Sequence, residues 1–269
     1  MDDGERGAAE APVTVAAAVV PILEHDPARE AILEPTRLIK PRDVPEAAVV
    51  CFFQDVIATL EREHGARVVK RLRSEIGMHP VYELAVDGKR LALFQPGVGA
   101  PLCAAMFEEV IAVGCRKFIA CGGAGVLDSA IGVGHVLVPQ SAVRDEGTSY
   151  HYLPPAREVA ADPEAVAAIE ATLRTHHVEY VLTKTWTTDA IYRETPAKIQ
   201  RRREEGCLAV EMEAAAFFAV AQFRGVPFGQ LLYGGDDVSA AEWDSRQWNS
   251  HTSVREKLFW LAAEAALSL

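Results

Sequence analysis

The sequence predicts an α/β protein, a three-layer α/β/α sandwich around a mixed central sheet. Three observations predict it. From residue 47 onward, short apolar runs alternate with segments of helical apolar spacing. The Asp87-Gly88 pair between apolar runs at 81–86 and 91–94 reads as a hairpin turn, which makes part of the sheet antiparallel. With 269 residues, 49% of them hydrophobic and 24% charged, the chain can bury the core of one large domain.

The elements follow in order. Residues 1–45 are rich in Ala, Glu, Asp and Pro without a clean period, so they are expected to be a flexible or loosely packed extension before a domain at 46–269. After Pro45 come a strand at 47–53, a helix at 54–63 and the hairpin strands. The segment Gly97-Val98-Gly99-Ala100-Pro101 then opens a helix at 102–113 that stops at Gly114, a usual C-cap residue. A buried strand at 118–121 runs into Gly122-Gly123-Ala124-Gly125, and 135–139 is another strand. Residues 144–158, with Gly147, Pro154, Pro155 and the run Tyr150-His151-Tyr152, have loop chemistry. Helices are predicted at 163–176 and 196–205 with a strand at 180–186 between them. The strand at 228–233 precedes a final helix at 254–267 that packs through Phe259, Leu261 and Ala262. No internal repeat and no later domain boundary is visible.

A net charge of −11 argues against sequence-independent nucleic-acid binding, which needs clustered cations to displace counterions. The basic run Arg201-Arg202-Arg203 is followed at once by Glu204-Glu205 and reads as a solvated helix face. Five scattered cysteines suggest neither a disulfide framework nor a CxxC metal site, and fit a reducing cytoplasm. The acidic N-terminus is unlike a signal peptide, and the Ala-rich run at 11–23 is broken by prolines, short of the roughly 20 apolar residues of a membrane span. The histidines show no ligand spacing, so neither a metal nor a cofactor is expected.

The most informative segment is Ala209-Val210-Glu211-Met212-Glu213-Ala214, with Asp236-Asp237 one helix and one strand later. It sets carboxylates at the ends of consecutive apolar strands, where α/β sheets bind ligands. A lone Glu in an apolar run is more often an edge or paired residue than a catalyst; two acidic clusters at consecutive strand ends shift those odds. The glycines Gly122, Gly123 and Gly125 suit a loop that cradles an anion or approaches a sugar ring. No Gly-Lys-Ser/Thr follows them and the GxGxxG spacing is absent, so they form neither a P-loop nor a dinucleotide fingerprint.

Taken in order, Gly97-Val98-Gly99-Ala100-Pro101, Cys121-Gly122-Gly123-Ala124-Gly125, Gly132-Val133-Gly134-His135, Thr187-Thr188-Asp189-Ala190, Val210-Glu211-Met212-Glu213-Ala214 and Asp236 resemble the nucleoside phosphorylase family. That family comprises purine nucleoside phosphorylases, uridine phosphorylases and methylthioadenosine nucleosidases. The resemblance runs from about residue 47 to 240. It implies that Glu213 holds the ribose hydroxyls, with Met212 against the sugar and Glu211 beside it. A carboxylate suits vicinal hydroxyl donors and a sugar that gains positive charge.

Asp236 follows Glu213 at the interval at which purine-cleaving members carry the acid that serves N7 of the base. Gly235 replaces the usual Ser or Thr before it, so Asp237 stays open as an alternative. Trp186 stands where an aromatic stacks on the base, although a core tryptophan at a strand end is as good a reading. Residues 141–152 are similar to the uridine phosphorylase loop, whereas Tyr192-Arg193-Glu194-Thr195 lacks that branch's Gln, which tilts the base toward purine.

The phosphate site is the main departure. Cys51-Phe52-Phe53-Gln54-Asp55, Ala120 and Gly123 replace the groups that grip phosphate in the family, and each lost Arg–phosphate bond removes roughly 1.5–3 kcal/mol. Water is therefore favoured over phosphate as acceptor of the sugar, with Arg144, Arg193 or His79 as candidates to rebuild an anion site. The alternatives are a phosphorylase with such a rebuilt site and a nucleoside-binding protein without chemistry. The family resemblance also implies a homo-oligomer.

Overall fold

The structure, a computed structural model, describes residues 20–269, and the expectation for residues 1–19 lies outside the described residues. Residues 20–45 are mostly exposed and carry a 3-10 turn at Pro21–Leu23 and one short α-helix, α1 (Pro35–Leu38). A few contacts anchor them: buried Glu34 reaches Arg224 at 3.4 Å, and the Arg42 N–H donates to the Val113 carbonyl at 2.8 Å.

The domain continues as β1 (Ala47–Cys51), α2 (Gln54–Glu63), β2 (Arg67–Ser74), β3 (Gly77–Val86), β4 (Lys89–Phe94), α3 (Ala100–Val113) and β5 (Lys117–Val126). Then come β6 (Val136–Asp145), β7 (Glu158–Ala160), α4 (Pro163–Thr175), β8 (Tyr180–Thr188) and α5 (Pro196–Glu204). Last are β9 (Cys207–Glu211), α6 (Ala214–Arg224), β10 (Phe228–Asp237) and α7 (Thr252–Ser268). Among the described residues, no helix is long and apolar enough to cross a membrane.

The sheet is mixed, as expected, and it also closes on itself. β5 pairs in parallel with β1 on one edge and β10 on the other; once β1 has ended at Cys51, β5 pairs antiparallel with β9 at Gly125 and Val126. β9, β8, β6 and β10 then complete a ring, and β4, β3 and β2 extend outward from β1. β2 is a charged strand at the edge of the sheet that its sequence pattern does not announce; Lys and Arg there discourage further strand pairing.

Successive residues of a strand face opposite sides. On β10, Phe228 packs against Phe107 of α3 and Phe217 of α6, while the next residue, Gly229, faces Ala165 and Ile169 of α4. The helices therefore cover both faces, giving the three layers. Phe107, Phe118, Phe217 and Phe228 form an aromatic core directly under the first turn of α6, and burying each ring contributes about 2–3 kcal/mol.

Candidate active site

The site forms where β5, β9 and β10 end together. Gly125 is its floor: a Cβ there would lie 3.0 Å from Val210 Cγ1 and 3.6 Å from Asp236 Oδ1. The strand leading into Glu211–Glu213 and the strand carrying Asp236 thus meet over a residue without a side chain. Gly122–Gly125, predicted as a loop, is the continuation of strand β5, because β10 and then β9 keep its backbone paired. The glycines serve close approach of neighbours instead of a cradle of free N–H groups.

Glu213 is the N-cap residue of α6 and is 5% exposed. Its Oε1 accepts the Gly99 N–H at 2.6 Å. Gly99 can present that N–H because its φ of 93° lies in the region glycine tolerates. Burial, reinforced by the charge of Glu211, pushes the Glu213 carboxyl well above its ordinary range. Met212, half-buried, stands beside it.

Glu211, expected among the ribose ligands, is instead committed to the protein. Its Oε2 accepts the Glu213 and Ala214 N–H groups at 2.7 and 2.6 Å, and Oε1 accepts the Thr187 hydroxyl at 2.6 Å and that of Thr185 at 3.4 Å. With both oxygens occupied, Glu211 caps the start of α6. Burial raises its carboxyl as well, against the pull of those donors. Glu146 and Asp189 add negative charge to the same region, and burial pushes Glu146 up too. Carboxylates so grouped favour a neighbour that becomes cationic.

Of the two aspartates on β10, only Asp236 is available. Asp237 is bound to Arg246 Nη2 at 2.5 Å and accepts the Ser239 N–H at 2.7 Å. Asp236, half-exposed, accepts the indole N–H of Trp243 on Oδ2 at 2.7 Å. Glu194 lies next to it: burial first, then the Asp236 charge, raises the Glu194 carboxyl to about 7.

The four other expected groups are placed as follows. Trp186 is 0% exposed, packed with Leu127, Val143 and Val210; its N–H donates to Asp145 at 3.0 Å, and Arg202 sits 5.3 Å over its ring. Neither face is open, so it is a core residue and not a stacking platform for a base. Arg144 is buried and spends its donors on Ser149, Leu153 and Pro154, with Tyr150 on its face, so it holds the 144–158 loop instead of an anion. His79 bonds to Ser74 at 2.7 Å within the β2–β3 hairpin. Arg193 is exposed and makes no ion pair among the described residues.

Rings fill the space beside the glycines. A Cβ on Gly123 would lie 3.1–3.3 Å from the Tyr233 ring and hydroxyl, and one on Gly122 would lie 3.1 Å from Phe52. The Tyr233 hydroxyl donates to the Trp248 carbonyl at 3.0 Å, and Arg255, 3.4 Å away, is shared with Asp55. Sequence reasoning missed Trp243, Glu194, Tyr233 and Arg255. The aromatic and charged residues following Asp236 were the available signal for the first, and Glu194 stood where a Gln was sought.

A sequence profile of the Phosphorylase superfamily matches residues 46–260. Guanosine phosphorylase of Halorubrum lacusprofundi is 31% identical over 157 residues, covering 57% of this chain and 64% of the relative. Uridine phosphorylase of Haemophilus influenzae is 23% identical over 160 residues, 54% of this chain and 64% of the relative. The chain thus spans a little under two thirds of the length of these relatives. Among solved structures, uridine phosphorylase from Vibrio fischeri superposes with a TM-score of 0.72 at 23% identity, over 86% of this chain and 95% of that one. AMP nucleosidase from Bacteroides thetaiotaomicron does so with 0.68 at 20% identity, over 84% and 89%. The fold is theirs, and by the profile match over most of its length the chain belongs to the Phosphorylase superfamily.

Proposed function

We propose that this protein is an enzyme that cleaves the N-glycosidic bond of a purine nucleoside and passes the sugar to water. In this reading Glu213 accepts the ribose hydroxyls and stabilises the cationic sugar, Met212 packs on the ring, and Asp236 donates to N7 so that the base leaves neutral. The observation that carries it is the meeting, over Gly125, of the strand that leads to Glu213 with the strand that carries Asp236, whose Oδ1 has no donor among the described residues.

The choice of water is supported by Tyr233 and Phe52, which occupy the room beside Gly123 and Gly122 where phosphate ligands would stand. The commitment of Arg144 to its loop supports it further. A purine base is supported by the availability of Asp236. The similarity to both guanosine phosphorylase and AMP nucleosidase is in keeping with that choice.

The test is a nucleoside panel with and without millimolar phosphate, reading base release by absorbance and the sugar by mass spectrometry. Purine release at a rate indifferent to phosphate, with free ribose or a 5′-modified ribose as product, is expected. Cleavage of uridine or thymidine alone would overturn the purine assignment. Saturable binding without cleavage would overturn the catalytic one.

A further inference from the structure

We propose that Trp243 is a positioning residue for the leaving-group acid: its indole N–H fixes Asp236 so that Oδ1 is the oxygen that carries the transferred proton. The inference rests on the role given to Asp236 above and adds a residue that lies outside every motif of the sequence.

The hydrogen bond is specific to one oxygen. Trp243 Nε1 donates to Asp236 Oδ2 at 2.7 Å, whereas Oδ1 has no donor among the described residues and is the oxygen nearer the Gly125 floor, 3.6 Å from the Cβ position against 3.8 Å for Oδ2. An indole N–H only donates. Because the carbonyl oxygen of a carboxylic acid is a better acceptor than its hydroxyl, an acid that accepts the indole on Oδ2 favours its own proton on Oδ1, the side from which a base over the glycine strand would take it.

The loop after β10 is built to hold this contact. Asp237 and Asp244 exchange backbone hydrogen bonds at 2.8 and 3.1 Å in an antiparallel bridge, which folds the chain back so that Trp243 is a diagonal, same-face neighbour of Asp236. Arg246 locks the bridge through Asp237 at 2.5 Å and the Ile131 carbonyl at 2.6 Å, from a backbone φ of 44° that few side chains adopt. Trp243 itself is 63% exposed, so burial of the ring does not account for where it is placed.

In the step this serves, the C1′–N9 bond breaks with its electron pair going to the base. The Oδ1 proton of Asp236 moves to N7, and the proton released by the water that attacks C1′ restores the acid. A nucleoside methylated at N7 needs no such proton, because its base is already cationic and departs neutral.

That difference supplies the experiment. The full chain and its Trp243→Phe variant, which keeps a ring but loses the donor, are compared on the purine nucleoside cleaved fastest and on its N7-methylated form. The variant is expected to lose about tenfold in kcat on the unmethylated substrate with KM unchanged, and less than about twofold on the methylated one. Equal losses on both substrates, or none on either, would overturn the positioning role while leaving the nucleoside assignment intact. Wild-type protein that cleaves only the methylated substrate would overturn the role of Asp236 as acid. Cleavage of neither would remove the reading on which the inference stands, and the inference with it.

Discussion

Replacing Glu213 by Gln separates the chemistry of the site from its stability. Gln retains an oxygen for the Gly99 N–H, now held at 2.6 Å, so the junction between the α3 and α6 N-termini keeps its bond. What disappears, at pH above about 8 where the carboxyl is ionised, is the charge. A neutral amide stabilises a cationic sugar less by about 2–4 kcal/mol, which lowers kcat/KM by roughly 10² to 10³. Stability should move the other way. Burial and the neighbouring Glu211 raise the Glu213 carboxyl in the folded state, so its stabilising contribution is full below the ordinary carboxylate range and is lost as pH rises through the raised value. The Gln variant has no such loss. Its melting temperature should equal or exceed that of wild type, with a gap that opens above the ordinary carboxylate value of about 4.5 and widens until about pH 8. Steady-state base release and melts across that range check both halves. Undiminished kcat/KM would refute the sugar-site role. A variant that becomes steadily less stable than wild type as pH rises would refute the burial argument.

Four further substitutions test neighbouring claims. Asp236→Asn should abolish most purine cleavage with little effect on melting, whereas Asp237→Asn, which breaks the pair with Arg246, should cost about 2–4 kcal/mol of stability and leave the protein that folds active; the reverse pattern in paired activity and denaturation assays would exchange their roles. Glu211→Ala strips the acceptor from two N–H groups and the Thr187 hydroxyl, so urea unfolding should report a loss of about 2–4 kcal/mol; a loss below about 0.5 kcal/mol would show that the cap is not needed. Glu194→Gln removes a carboxyl raised to about 7, whose stabilising contribution is likewise lost as pH rises through that value. The variant should gain on wild type between about pH 5 and about pH 8, by at most about 3 kcal/mol since each pK unit is worth about 1.4 kcal/mol, and a pH-independent difference would contradict the burial of Glu194.

Much of the frame was legible in the sequence because its signals are local. The helix at Gln54–Glu63 was read to the residue, and the Asp87-Gly88 turn gave the β3–β4 hairpin. The family motifs point to the strand ends that meet over Gly125. The rest depends on neighbours distant in sequence. Nothing within Gly122–Gly125 says that β9 and β10 will hold it as a strand, and nothing around Trp186 says that Asp145 and Arg202 will enclose the indole. Glu211 and Glu213, two residues apart in one apolar context, part company only because the Thr187 hydroxyl and two helix N–H groups point at the first and the Gly99 N–H at the second. Ring closure of the sheet is likewise invisible to periodicity, since it needs one long strand to change partners midway along its length.

The fate of the sugar tests the account most directly. A purine nucleoside is turned over in ¹⁸O-labelled water containing millimolar phosphate, and the sugar product is weighed by mass spectrometry. With Tyr233 and Phe52 filling the room beside Gly123 and Gly122, the account predicts free ribose, or its 5′-modified form, carrying one ¹⁸O at C1. Ribose 1-phosphate without the label would contradict it.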